Sequence, residues 1–205
     1  MSEQSPIQSS VGVFVEWAKA CLDEMAASAK VLESRLDSLD VNVRAQAEQA
    51  IAHVKQSIAE GQAEIKDVQA KGAGSIAEAK AQMEDTWSKF QSESSRWAEL
   101  TEDQQATFQA RAQAQAEAWQ NVVNSYMQRA AELHAGNQKQ AEAHVEQLTA
   151  QAQKAQADLK AKADSLGKAG QASWAAMSQA LDESRDAFSK AIEVTAKSFD
   201  DATKS

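Results

Sequence analysis

The chain has 205 residues, a net charge of −9 and 43% hydrophobic residues, with one proline, seven glycines and one cysteine. An acidic balance without a basic stripe excludes neutralising a nucleic-acid backbone and attracts anionic membranes weakly. A single cysteine excludes an intrachain disulfide framework and a cysteine metal cluster.

Much of the apolar count is alanine, which favours helix but buries little area. With so few breakers, the composition predicts an all-α chain whose helices each carry a thin apolar seam. Residues 1–8 read as a flexible N-terminal tail, and 9–203 as a single helical domain. The start lacks the basic region and long apolar run of a signal peptide. No stretch approaches the ~20 apolar residues of a membrane span. The expectation is a soluble, cytoplasmic protein.

The first seam is Val11, Val15, Ala18, Leu22, Met25, Ala29, Leu32, Leu36 and Leu39. Its steps alternate four and three, the heptad pattern of coiled-coil pairing. Near Asp40 the spacing changes to eleven: Leu32, Val43, Val54, Ile65, Ile76, Trp87. Eleven residues make three turns at ~3.67 per turn, so such a stripe stays on one face of a nearly straight helix. Either Asp40 or Asn42 caps a new helix here, or the helix continues through a stutter. Gly72 and Gly74 mark a hinge, since each glycine costs a helix ~1 kcal/mol relative to alanine. Phe90 and Trp97 continue the seam. The main turn falls at about 100–104, where Thr101 and Gln104 fit a capping box. It divides arm one, 9–99, from arm two, 105–203.

Arm two opens with Phe108, Trp119, Val122, Tyr126 and Leu133, and Gly136-Asn137 fits a C-cap. Two interleaved eleven-residue runs follow. One is Leu148, Leu159, Gly170, Leu181, Ile192; the other is Ala155, Leu166, Met177, Phe188, Phe199. Gly167 and Gly170 mark a further weak point, and Trp174 opens the last segment. Folding the chain back near residue 104 places Asp40 opposite Gly167 and Gly72–Gly74 opposite Gly136. It also pairs Phe90 with Trp119, Met83 with Tyr126, Ile76 with Leu133, Ile65 with Val145, Val43 with Leu166, Leu32 with Met177 and Leu22 with Phe188. The prediction is a long antiparallel helical hairpin of about 140 Å. The alternative is a shorter coiled-coil-like bundle of four to six helices folded at the glycine-marked breaks.

No catalytic, cofactor or metal constellation is present. His53, His134 and His144 share no ligand spacing, and the carboxylates are scattered along outer faces. Gly72-Ala73-Gly74 follows no strand, so it is no phosphate loop. Cys21 reads as a small apolar residue beside Leu22, with an interchain disulfide as the alternative. Trp87, Trp97, Trp119 and Trp174 lie on or beside the seam, for packing or for an apolar–water boundary.

With its eleven-residue runs and glycine-marked breaks, the chain resembles amphipathic helical repeat proteins across roughly residues 11–203. These are the apolipoproteins, the late-embryogenesis-abundant proteins and the bacterial phasins that coat polyester granules. It lacks the prolines that apolipoproteins carry at their breaks and is poor in basic residues. Its tryptophans and strong seam set it apart from the late-embryogenesis-abundant type. The resemblance implies a surface-coating or self-associating protein without an active site. The expected function is therefore a non-enzymatic structural or interaction protein that forms homo-oligomers through the seam. The alternative is a phasin- or apolipoprotein-like coat on a lipid or polyester surface.

Overall fold

Each interruption of the seam turns the chain back on itself. A computed structural model describes residues 6–101, 104–132, 135–169 and 174–204. Among these lie six α-helices and no strand: α1 (Pro6–Glu33), α2 (Val41–Lys71), α3 (Ile76–Thr101), α4 (Gln104–Ala131), α5 (Ala135–Ala169) and α6 (Trp174–Lys204).

The α1–α2 join is a helix end, not a stutter. A 3₁₀ turn at Leu36–Ser38 follows α1. The Ser34 and Ser38 hydroxyls bond back to the Val31 and Arg35 carbonyls, each at 2.7 Å. Serines offering such local bonds compete with helix continuation. Asp40 occupies the N-cap of α2 without a side-chain capping bond; its carbonyl accepts the Arg44 N–H at 2.7 Å. Leu36 and Leu39 thus leave the heptad and pack beside Leu32 and Ile51.

Gly72 ends α2 with φ 82° and ψ −163°, a backbone region nearly reserved for glycine. Gly74 has no such requirement. Gly136 lies in the first turn of α5, not at the C-cap of α4, because α4 has already ended at Ala131. Gly167 lies inside α5, which runs on to Ala169. Gly170 and Leu133 lie outside the described residues, as do the side chains of Leu166 and Phe199.

The architecture is the helical bundle, with a different pairing from the hairpin register. Short connections make sequence neighbours antiparallel partners, so each arm folds on itself. Leu22, Val54, Ile65 and Met83 form one cluster, and Leu32, Ile51 and Trp97 another; both lie among α1, α2 and α3. Trp119, Tyr126, Val145, Leu148, Phe188 and Ile192 form a third, and Phe108, Leu159, Met177 and Leu181 a fourth; these lie mainly among α4, α5 and α6. Ile65 therefore packs with Leu22 and Met83 and not with Val145. Phe188 stacks on Trp119 at 4.6 Å and not on Leu22. Phe90 meets Trp87 at 5.1 Å and not Trp119.

The two leaves join chiefly through α1 and α4. Helix α1 serves both: Ala20 belongs to the second leaf's core, while Phe14 and Leu22 belong to the first. Within the first leaf, Gly61 lets α2 close on its neighbours. A Cβ there would sit 2.7 Å from Leu22 Cδ2 and 3.2 Å from Met83 Cε.

Candidate functional site

The seam residues are consumed by the core. Leu22, Leu32, Val54, Ile65, Trp87, Phe90, Trp119, Leu148, Leu159, Met177, Leu181 and Phe188 are buried. Val43, Ile76 and Trp174 are partly buried. Among the described residues the exposed large hydrophobics are Val41, Met127 and Val194, which are scattered through the sequence on α2, α4 and α6. No described helix is long and apolar enough to cross a membrane.

Between the leaves the apolar packing gives way to charge. Glu24 of α1 is 1% exposed, and Arg111 and Gln115 of α4 are 0% and 1% exposed. The Arg111 Nη2 to Glu24 Oε1 separation is 4.0 Å. None of the three Arg111 guanidinium nitrogens forms a hydrogen bond within the described residues. The group lies over the Phe90 ring, 4.9 Å from its centroid. Gln115 Nε2 donates to the Leu181 carbonyl at 3.1 Å and more weakly to Glu24 at 3.4 Å; its Oε1 finds no donor. Ser28 and Ser94 are buried, and their hydroxyls have no partner among the described residues.

Burial pushes the Glu24 carboxyl up to about 7, against the opposing pull of Arg111, Arg185 and Gln115. The same burial lowers Arg111 from its ordinary range, which Glu24 and Asp182 counter. Asp182 is also raised, by its partial burial, although Arg111 and Arg185 act against that.

The α3–α6 junction is the polar flank of this layer. These two helices meet through side-chain reach more than through backbone approach. Gln91 donates to Asp182 at 2.6 Å, Trp174 Nε1 donates to Ser95 at 2.8 Å, and the Arg185 guanidinium covers the Trp87 ring at 4.2 Å. The bridges run in opposite sequence directions, so α3 and α6 are antiparallel. Beside them a groove of about 480 Å³ is bounded by α1, α3 and α6, with Phe14, Trp17, Ile76 and Trp87 on its apolar walls.

No protein-family model matches the chain, and no curated protein or solved structure does either. Its functional reading rests on its own residues.

None of the sequence-selected seam positions is a charged residue, so the polar layer was not anticipated. Glu24 and Arg111 look like ordinary members of solvated faces in a one-dimensional reading. The available signal was positional. Glu24 lies four residues after Ala20 and four before Ser28, and Arg111 three after Phe108, each at same-face helical spacing from buried residues. His53 bonds Glu93 at 3.0 Å across α2 and α3 on the surface. His144 is partly buried, and His134 lies outside the described residues. Among the described residues, no three His, Cys, Asp or Glu side chains are grouped to hold a metal ion.

Proposed function

We propose that this chain is a non-enzymatic amphipathic helical protein that is closed in water and opens on a hydrophobic lipid or polymer surface. The observation that carries the reading is the polar layer within an otherwise apolar interior. Each leaf buries its own seam, whereas the leaves meet across Glu24, Arg111 and Gln115, with hydrogen-bonding capacity left unused. A buried polar group without a partner costs about 1–3 kcal/mol, so the unmatched groups weaken this junction.

Opening there returns the charges to water, and each parted leaf then unrolls to turn its own stripe toward the surface. Helices joined by short breaks can then lie flat, with apolar faces down, as interfacial helices do. The closed form accounts for the few large hydrophobics exposed among the described residues; a large exposed patch would favour aggregation. Self-association through the seam belongs to the same proposal. With the seam closed within one chain, it proceeds by exchange of helices between opened copies.

Flotation with neutral-lipid particles tests the reading. The protein should rise with the particles, and its tryptophan emission should change as Trp119 and Trp87 exchange the core for the surface. Retention in the aqueous layer, with unchanged emission, would overturn it.

A further inference from the structure

We propose that the α3–α6 edge is a gate, which opens transiently in water while α1 and α4 stay packed together as the spine of the molecule. The two edges are held in unlike ways. The α1 and α4 backbones run close together, and Ala20 of α1 shares a core cluster with Trp119, Val122 and Val123 of α4. Helix α1 also fills the first leaf's core through Leu22 and Met25. Parting α1 from α4 therefore exposes apolar packing to water.

The α3 and α6 backbones scarcely approach each other among the described residues. Polar side chains bridge them instead: Arg185 over Trp87, Gln91 to Asp182, and Trp174 to Ser95. The α3 members recur every four residues, so they form one stripe about 12 Å long. Each of these contacts exchanges for water at small net cost. Beyond Trp87 and Arg185 the same edge continues, toward Ile76 on α3 and Glu193 on α6, as the groove of about 480 Å³. One half of the edge is thus already parted, and the other half is held by the bridges.

The middle bridge adjoins the polar layer. Gln91 follows Phe90, whose ring lies 4.9 Å from the Arg111 guanidinium. Asp182 follows Leu181, whose carbonyl accepts from Gln115 at 3.1 Å. Separating α3 from α6 therefore admits water beside Arg111, whose guanidinium nitrogens form no hydrogen bond among the described residues. Sparse contacts mark segments that open below the global unfolding transition, and here the opening also relieves buried unmatched donors.

The test is relaxation-dispersion nuclear magnetic resonance on the tryptophan indole N–H groups of the intact chain in buffer, which detects minor states exchanging in microseconds to milliseconds. Trp87 and Trp174 stand at opposite ends of the bridged stretch and should share one exchange rate and one open population. Trp97, on the same helix but packed with Leu32 and Ile51, should stay outside that process. Gln91→Ala with Ser95→Ala removes two bridges while favouring helix, and should raise the open population about tenfold. Ile51→Val and Val122→Ala weaken packing that persists with the gate open. Each should lower the urea midpoint and leave the open population unchanged. If Val122→Ala fails to fold, Val122→Thr takes its place. Unrelated rates at Trp87 and Trp174 would show separate local fraying, and Trp97 joining them would show unfolding of the whole leaf. A population raised by the Val122 variant would show the spine parting too. Any of these, or no dispersion even in the double variant, would overturn the proposal. The measurement uses no surface, so the gate and the coating reading can fail independently.

Discussion

Glu24 lies 4.0 Å from the Arg111 guanidinium at 1% exposure, yet its carboxyl is held near 7 because burial outweighs attraction. Its ordinary value is 4.5, so between about 4.5 and 7 the folded chain binds more protons than the unfolded one. By linkage, Glu24 makes the fold most stable below that window and progressively less stable as pH rises through it. The size is on the order of 3 kcal/mol. Asp182, also raised, adds a contribution of the same sign. Urea unfolding at pH 5 and pH 8 should give a smaller wild-type decline in Glu24→Gln; an unchanged decline would remove Glu24 from the account. Partner removal should be asymmetric. Glu24→Leu strands a permanent cation and should cost about 3–5 kcal/mol. Arg111→Met should cost less at pH 5, where Glu24 can hold a proton, than at pH 8. The double variant Glu24→Leu/Arg111→Met should be more stable than the Glu24→Leu single, as measured by a double-mutant cycle.

At the scale of helices, most boundaries were legible and one close contact was not. The change of spacing at Asp40, the Gly72 hinge and the turn at about 100–104 all coincide with helix ends, although Thr101 closes α3 and does not cap α4. The Ser34 hydroxyl bonds back at the end of α1 and the Ser38 hydroxyl within the 3₁₀ turn that follows, and Gly72 takes a φ of 82° that other residues strongly resist. Gly72→Ala should therefore cost about 1–3 kcal/mol. Gly74→Ala should be near neutral, since its Cβ would meet nothing within 4 Å. Thermal unfolding of the two variants checks this, and equal losses would refute the backbone argument. Gly61 carries no sequence cue, since its role depends on which helices approach it. Its Cβ position is already crowded by Leu22 and Met83. Gly61→Leu should thus destabilise by about 1–3 kcal/mol through overpacking, despite leucine's better helix propensity.

For the whole molecule, the two eleven-residue arrays run through helices that pack as two leaves, but they do not give the pairing of those helices. A periodic stripe says which face is buried, not which helix covers it. Long-range register is decided by how sharply each break reverses the chain, and Gly61, Glu24 and Arg111 acquire their roles only after that choice. The longest helix, α5, has 35 residues, about 52 Å. Small-angle scattering should therefore give a maximum dimension near 60 Å and not the ~140 Å of an extended hairpin. The opening reaction has a built-in reporter in Cys21. It is 4% exposed, and burial pushes its thiol up to about 12. At pH 8 it therefore holds far less thiolate than a free cysteine. Labelling of Cys21 by a water-soluble disulfide reagent, with and without neutral-lipid particles, tests the opening most directly. The account predicts slow labelling in buffer and fast labelling of particle-bound protein. Equally slow labelling of protein shown to be bound would contradict it, because the bundle would then have docked without opening.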